Sequence, residues 1–315
     1  MRLLGRQSIL LVQMNPEWWR RFAVRGVFWR RYLDFGLTNV PFYLRPVTIF
    51  FWTIFFYFFA GTARRTILAN LEIVLPGSTP LLNRARAWLT LYNFAWTIAD
   101  AADHKLAKTE FAYEVEGGEF LEQLAAARGA VLLTAHLGNY DLGAAIFAER
   151  FQREIRIVRA PEEDVGSARH LDESLERAGA GAVKVAYNTA TSMALSIELL
   201  SAIRGGEIVS IQGDRTLPDV SARAGLLFGQ TVKLPDGPFV LALVAQVPIY
   251  PVFFVRRSFH HYKIIAHPPI SCLRRERNRE TSIEEAMRRW SRTLEKTIAQ
   301  HWSQWFSLVP IFPAR

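Results

Sequence analysis

The pattern of apolar and polar positions divides the 315-residue chain into two parts. Residues 46–63 form an uninterrupted run without a charged side chain, and eight of these eighteen residues are aromatic. Such a run predicts one apolar helix over Pro46–Ala63, about 27 Å long at about 1.5 Å per residue, which is the short limit for crossing a bilayer. Apolar and polar residues then mix at helical spacing, which predicts an amphipathic helix over Arg64–Leu75.

Beyond residue 75, short apolar runs alternate with helical patterns. The runs predict strands over Ala130–Thr134, Ile155–Val158, Glu207–Gln212, Pro248–Val255 and His261–Ala266, with the last two pairing. The helical patterns cover Leu82–Ala102, Asp141–Phe151, Leu171–Arg177, Thr189–Ile203, Pro238–Ala245 and Ser282–Trp305. Strands that alternate with helices predict an α/β fold with a mixed, mostly parallel central sheet flanked by helices.

The composition narrows the class of protein. Half of the residues are hydrophobic and 13% are aromatic, which supports a sizeable core and excludes disordered, collagen-like and coiled-coil proteins. The single cysteine, Cys272, excludes an internal disulfide framework and a cysteine-based zinc cluster. A formal net charge of +9 favours a negatively charged partner, which is nucleic acid, an anionic membrane or an anionic substrate.

The positive charge is concentrated around the apolar run. Residues 1–65 carry +8 of the +9, with ten arginines against Glu17 and Asp34. Residues 18–35 add Trp, Phe and Tyr between these arginines, a composition typical of an anchor on anionic lipid. We therefore predict a basic and aromatic membrane-anchoring segment over residues 1–75 and an α/β domain over residues 76–315. The apolar helix is predicted to contact the membrane, either as a transmembrane helix or within one leaflet; a buried core helix is the alternative.

A histidine and an aspartate follow the first buried strand. His136 and Asp141 lie where a strand gives way to a helix, at the end of the sheet where open α/β sheets bind ligands. A neutral histidine is a good general base near pH 7, and a nearby carboxylate can hold its other ring nitrogen and stabilise the imidazolium. The pattern predicts a catalytic pair of His136 and Asp141. The alternative is a histidine that caps the helix, with Asp141 favouring the helix dipole.

Other catalytic motifs are absent from the sequence. It contains neither a GxSxG nucleophile elbow nor a GxGxxG or GxxxxGK[ST] nucleotide motif. His260, His261 and His267 have no carboxylate at a spacing that completes a metal site, so they are predicted to lie on a surface strand. We predict no metal and no bound cofactor.

Several sequence blocks resemble one family. HLGNYD at residues 136–141 resembles the signature H-[FLG]-G-N-[WY]-[DE] of the bacterial lipid A biosynthesis (lauroyl/myristoyl-type) acyltransferases, within the HxxxxD glycerolipid and lysophospholipid acyltransferases. Further blocks match in order: IQGDR at 211–215, LFG at 227–229, LPDGP at 234–238, AQVPIYPVF at 245–253 and HWSQWF at 301–306. The last block has Trp302 where the family usually has proline.

The resemblance implies transfer of an acyl group from acyl carrier protein or coenzyme A to a lipid hydroxyl or amine, without a metal. It implies that His136 deprotonates the acceptor and that Asp141 orients His136. Substrate-binding candidates are the loop residues and basic groups that follow the strands, namely Gly138, Asn139, Arg159, Gly213, Asp214, Arg215 and Phe228. Gly138, Asn139 and the loop amides are candidates for stabilising the oxyanion, and Arg215 and Arg159 for binding phosphate.

Alternatives stay open for several of these residues. The alternative for Arg215 is a salt bridge with Asp214 or another carboxylate. For Arg159 the alternative is an ordinary surface position, and for Phe228 it is a place in the core. The acceptor is a lipid A precursor, a lysophospholipid or aminolipid, or a glycolipid such as a phosphatidylinositol mannoside. The predicted location is the cytoplasmic face of the inner plasma membrane, with anionic lipid as a partner and no nucleic acid. The competing functions are a non-catalytic membrane or nucleic-acid binding protein, which would use the arginine-rich amino end, and an acyl thioesterase.

Overall fold

A computed structural model describes residues 36, 39–107, 109–160, 182–188, 193–216, 220–272 and 278–313. The basic and aromatic positions of residues 1–35 lie outside the described residues. Of the ten arginines in residues 1–65, the described residues include Arg45, Arg64 and Arg65. The predicted helix Leu171–Arg177 and the first residues of the predicted helix Thr189–Ile203 also lie outside them.

A seven-stranded sheet forms the centre of the fold, in the order β1-β9-β8-β2-β5-β3-β4. Its strands are β1 (Ala112–Glu116), β2 (Ala130–Thr134), β3 (Ile155–Arg159), β4 (Val183–Tyr187), β5 (Ile208–Gln212), β8 (Ile249–Ser258) and β9 (His261–Ala266). Every neighbouring pair is parallel except β8 and β9, which are antiparallel. The remaining strands, β6 (Ala222–Leu227) and β7 (Gln230–Pro235), form a separate antiparallel hairpin. The predicted mixed, mostly parallel α/β fold is confirmed.

Helices cover both faces of this sheet. In chain order the described α-helices are α1 (Arg45–Phe59), α2 (Gly61–Val74), α3 (Pro80–Ala107), α4 (Gly118–Ala126), α5 (Tyr140–Phe151), α6 (Met193–Arg204), α7 (Gly237–Ala245) and α8 (Arg279–His301). All five residues of β2 are buried, and successive residues point to opposite faces. Val131 and Leu133 join the core formed with α6, α7 and α8, whereas Ala130 and Leu132 join the core formed with α4 and α5. Burial on both faces explains why this strand reads as a continuous apolar run.

The elements that the sequence did not predict are short and carry charge. The five residues of β1 at one edge of the sheet include two glutamates, and β4 at the other edge includes Lys184. An edge strand tolerates charge because part of it faces water, so its apolar pattern is too weak to predict it. The predicted strands correspond to β2, β3, β5, β8 and β9, and the predicted pairing of the last two is confirmed.

The continuous apolar helix predicted over Pro46–Ala63 is wrong. Helix α1 ends at Phe59, α2 starts at Gly61, and the chain bends by 92° between them. Within the described part of the chain, no single helix has both the length and the apolar character that a membrane crossing needs, so the expected transmembrane helix is not supported. Among the helices of the described residues, the bent pair α1 and α2, taken together, is the one that meets that test by length and composition.

Helices α1, α2 and α3 pack against one another and then against the sheet domain. Ile49 of α1 is buried against Trp96 and Ala99 of α3, and Leu71 of α2 is buried in a cluster with Leu91 of α3. Arg256 at the end of β8 forms a salt bridge of 2.9 Å with Asp100 of α3. This buried ion pair fixes the helical layer next to the end of the sheet that carries the predicted chemistry.

Candidate active site

The loop that carries His136 is held in a conformation that only glycine permits at one position. Gly138 has φ of +65°, and a Cβ atom there would lie 2.0 Å from the carbonyl oxygen of Phe254. The Asn139 side chain caps α5 by accepting a hydrogen bond from the Leu142 amide. A glycine and an N-cap therefore turn the chain sharply from β2 into α5.

Residues 304–306, near the carboxyl end of the chain, form backbone hydrogen bonds with this loop. The Gly138 amide donates to the carbonyl of Gln304 at 2.9 Å, and the Phe306 amide donates to the carbonyl of His136 at 2.7 Å. These two bonds form an antiparallel bridge between Leu137 and Trp305. The backbone of residues 136–138 is thereby fixed by residues 304–306.

His136 pairs with Asp214. The Nδ1 atom of His136 lies 2.8 Å from Oδ1 of Asp214, and the backbone amide of His136 donates to the same oxygen at 3.2 Å. Strand β2 pairs with β5, with Thr134 opposite Gln212, so the residues two positions beyond each strand also lie side by side. Since Asp214 accepts at Nδ1, the Nε2 atom of His136 is left with its lone pair, as a general base requires.

The environment of Asp214 keeps its carboxylate ionised. The side chain is completely buried, and burial alone raises the pKa of such a group. The charge and hydrogen bond of His136, the charge of Arg215 and the indole N–H of Trp305 outweigh burial and lower the pKa of Asp214 to about 2. Asp214 is therefore negatively charged throughout the pH range in which a histidine titrates.

Asp141 does not hold the ring of His136 as predicted. Its carboxylate forms a salt bridge with the guanidinium of Arg159, at the end of β3. The prediction assumed that five positions along the chain amount to one helical turn, but residues 136–139 form a loop and only Tyr140 begins the helix. The carboxylate at Nδ1 therefore comes from the loop that follows β5 instead of from α5. A catalytic role for Asp141 stays a prediction.

Arg215 and Tyr140 complete the cluster around His136. Among the described residues, no carboxylate lies within salt-bridge distance of Arg215, Asp214 included; its charge nevertheless acts on Asp214 and on Tyr140. The ring of Tyr140 meets that of His136 edge to face, with centroids 5.6 Å apart. Burial and the neighbouring charge of Asp141 raise the pKa of the Tyr140 hydroxyl, which therefore stays protonated. Arg159 is paired with Asp141. Arg215, in contrast, is a cation without a carboxylate partner in the described part of the chain.

The polar groups of Asn139, Gly138 and Gly213 are used inside the fold. Besides capping α5, Asn139 donates from Nδ2 to the carbonyl of Thr97 at 3.1 Å, and its backbone amide donates to the carbonyl of Phe254 at 2.8 Å. The Gly213 amide donates to the carbonyl of Thr134 at 2.8 Å. The candidate amides of Gly138 and Asn139 thus already have carbonyl acceptors, and their predicted substrate contacts stay predictions.

Phe228 lies at the turn of the β6–β7 hairpin. Its φ is +50°, its backbone amide donates to the Glu295 carboxylate at 2.7 Å, and its ring contacts that of Phe312 with centroids 6.3 Å apart. The structure shows no contact between Phe228 and His136. The residues that it brings together at the carboxyl ends of β2, β3 and β5 are His136, Asp141, Arg159, Asp214 and Arg215. A substrate-binding role for Phe228 stays a prediction.

Trp305 also contacts the site, although no sequence pattern singles it out. Its indole N–H donates to Oδ2 of Asp214 at 3.0 Å. The available signal was its place in the HWSQWF block, which resembles a family segment without indicating a partner. As for metal ligands, the described residues contain no group of three or more His, Cys, Asp or Glu side chains that could hold an ion.

Comparison with known proteins identifies the family of this chain. The chain from residue 35 to residue 313 matches the family described as bacterial lipid A biosynthesis acyltransferase. No match is found among curated proteins. Because the matched region covers most of the chain and includes every residue of the cluster, this protein belongs to the bacterial lipid A biosynthesis acyltransferase family and is an acyltransferase.

Proposed function

We propose that this acyltransferase moves a fatty acyl chain from an acyl thioester to a hydroxyl or amine of a lipid or lipid A-type glycolipid precursor, with His136 as the general base. The observation that carries the proposal is the 2.8 Å contact between Nδ1 of His136 and the buried carboxylate of Asp214. That contact selects the tautomer whose Nε2 can accept a proton.

The chemistry requires only proton transfer and charge stabilisation. Nε2 of His136 takes the proton of the acceptor hydroxyl or amine while the acceptor atom attacks the thioester carbonyl. The tetrahedral intermediate then collapses, the carbon–sulfur bond breaks, and the imidazolium returns the proton to the departing thiolate. Asp214 stabilises the imidazolium between these steps, because it is ionised, buried and in contact with the ring. The acyl thioester of acyl carrier protein or of coenzyme A serves as co-substrate, and the proposal uses no metal or cofactor.

The amino end of α5 supports the oxyanion. Its first amides belong to Tyr140 and Asp141, which precede the i to i−4 hydrogen-bond ladder of the helix. Such amides, together with the helix dipole, favour negative charge. We assign the oxyanion to this helix end in preference to Gly138 and Asn139, whose amides donate to protein carbonyls.

Two arginines give the site a positive charge for an anionic group of the donor or acceptor. Arg215 lies next to Asp214, and Arg159 is held by Asp141 at the end of β3. A guanidinium binds phosphate through two parallel hydrogen bonds, so Arg215 is the primary candidate. Asp141 acts in this proposal by holding Arg159.

An acceptor-dependent assay separates this function from its competitors. We expect purified protein, given acyl thioester and a lipid acceptor, to form acylated lipid, and we expect thiol release without acceptor to be slower by about tenfold or more. Mass spectrometry of the lipid and a thiol-reactive dye measure the two rates. Thiol release that no acceptor accelerates would indicate a thioesterase, and absence of both reactions would favour a binding protein.

Helix α1 supports attachment to a membrane. Only Ile49 and Thr53 of its fifteen residues are buried, while Phe51, Phe55, Phe58 and Phe59 are 45–74% exposed. Spaced three or four positions apart, these rings share one face of the helix. A contiguous exposed apolar face of this kind is typical of an interface with lipid. We place it on the cytoplasmic face of the inner membrane, where both donor thioesters are available.

Vesicle binding tests this attachment. The triple change Phe51→Ser, Phe55→Ser and Phe58→Ser is expected to lower sedimentation with phosphatidylglycerol-containing vesicles by at least about tenfold, since each fully buried aromatic side chain contributes roughly 1.5–3 kcal/mol. Ile197→Ser is the control, because Ile197 is 63% exposed on α6 beside a cluster of charged residues. Equal vesicle binding by the triple variant and the control would exclude α1 as the anchor.

A further inference from the structure

Asp214 is held by donors on both of its oxygen atoms. Oδ1 accepts from the ring and the backbone amide of His136, and Oδ2 accepts from the indole N–H of Trp305 at 3.0 Å. Trp305 is 3% exposed and Asp214 is completely buried, so water does not compete for this bond. The orientation of the carboxylate therefore depends on donors from two residues, His136 at Oδ1 and Trp305 at Oδ2.

Trp305 is joined to the loop of His136 by its backbone as well. It stands in the bridge with Leu137, between the residues that bond to Gly138 and His136. Its ring also contacts Phe312, with centroids 6.3 Å apart. Movement of the indole would consequently move the carboxylate and the loop together.

We propose that Trp305 is a positioning residue for catalysis, which holds the Asp214 carboxylate in line with Nδ1 of His136 and withdraws part of its charge from the imidazole. The inference rests on the proposed general-base function of His136. A hydrogen bond to a carboxylate is stronger than one between neutral groups, and a carboxylate with one donor fewer presents more negative charge to its remaining partner.

Another buried tryptophan makes a different hydrogen bond next to Asp214 in the chain. Trp290 of α8 is also completely buried, but its indole donates at 2.9 Å to the backbone carbonyl of Gly213. A peptide carbonyl does not titrate and does not rotate. Packing alone therefore does not require that an indole in this core reach the Asp214 carboxylate.

The charged and titratable groups near the pair come from three elements. Tyr140 and Asp141 lie on α5, Arg159 ends β3, and Arg215 follows β5. None of them is altered by a change at Trp305, so a shift of the pH profile in that variant reports on Asp214 and His136.

The test is Trp305→Phe, which keeps an aromatic ring and removes the N–H. We expect kcat to fall by about tenfold with KM for the acyl thioester changed by less than about twofold, because the Asp214 carboxylate is no longer held in line with Nδ1 of His136 while no substrate contact is removed. The acidic limb of the pH–rate profile should move to higher pH by roughly half a unit, since the carboxylate then favours the imidazolium more strongly. Trp302→Phe is the control: Trp302 lies in the same segment, against Arg86, and its variant should keep both the rate and the profile. An unshifted acidic limb in Trp305→Phe would overturn the proposal.

A double-mutant cycle separates this inference from the proposed function. In an Asp214→Ala background, Trp305→Phe should lower kcat by less than about twofold, because Trp305 then has no carboxylate to hold. A further tenfold loss would show that Trp305 acts through packing and would overturn the inference. Full activity of Asp214→Ala alone would instead contradict the proposed function.

Discussion

Replacing His136 with alanine is expected to lower kcat for acyl transfer by about a thousandfold or more, because the acceptor loses the base that takes its proton. General-base catalysis by a positioned side chain contributes roughly 10²–10⁴ in rate, and the tautomer selected by Asp214 places His136 at the upper part of this range. Acylated lipid measured by mass spectrometry under saturating thioester gives kcat directly.

The fold is expected to survive this change. Asp214 would keep the His136 backbone amide and the Trp305 indole as donors, so that its buried charge remains paired. The melting temperature and vesicle binding of His136→Ala should therefore stay close to those of the unmodified protein. His261→Asn, at the start of β9 and outside the cluster, serves as a matched histidine control and should keep full activity. Acyl transfer by His136→Ala within about twofold of normal would contradict the general-base assignment.

The sequence was sufficient to predict the loop of the candidate site because β2 is buried on both faces. Its five residues form a clear apolar run, and the residues that follow such a run must lie at the carboxyl end of a parallel sheet. The sequence predicts Asp214 as a substrate-binding residue and not as the partner of His136. Its pairing with His136 depends on β5 lying next to β2, and strand order is a tertiary property that local patterns do not encode.

The break at Ala60 has a similar explanation. Residues 46–63 contain no charged side chain, so the pattern predicts a helix without indicating where it ends. Ala60 adopts φ of −86° and ψ of 54°, a non-helical conformation, and Arg64 beyond it donates to the carbonyl of Tyr57 at 2.7 Å. This contact satisfies a carbonyl near the end of α1 and supports the bend. Contacts of this kind form only in the folded helical layer.

The helical layer is physically connected to the catalytic loop. The Tyr262 hydroxyl donates to Asp100 of α3 at 2.6 Å and lies 3.3 Å from Nδ2 of Asn139, which also donates to the Thr97 carbonyl of α3. The same carboxylate of Asp100 pairs with Arg256. Because α1 packs on α3, the apolar face proposed to meet lipid and the loop of His136 belong to one packed unit. A lipid acceptor at the membrane surface would thus meet a base whose position relative to that surface is fixed.

The second large effect is expected from Asp214→Asn, which should lower kcat by about 10³- to 10⁴-fold. An amide in place of the carboxylate removes the buried charge beside the imidazole and can offer Nδ1 the wrong hydrogen-bonding partner; in a serine protease triad the same change costs about 10⁴. Without that charge the imidazolium is less stable, so the acidic limb of the remaining pH–rate profile should move to lower pH. This direction is opposite to that expected for Trp305→Phe.

Asp141→Asn is the matched comparison, since it removes a carboxylate of the same signature that pairs with Arg159. Whatever its effect on the rate, its acidic limb should stay at the normal pH, because the ring of His136 keeps its contact with Asp214. Its main effect should match that of Arg159→Gln, and the two changes together should cost little more than either alone. Profiles of kcat against pH for the three variants decide between the two aspartates: a downward shift in Asp141→Asn with none in Asp214→Asn would assign the imidazolium to Asp141 and overturn the pairing seen in the structure.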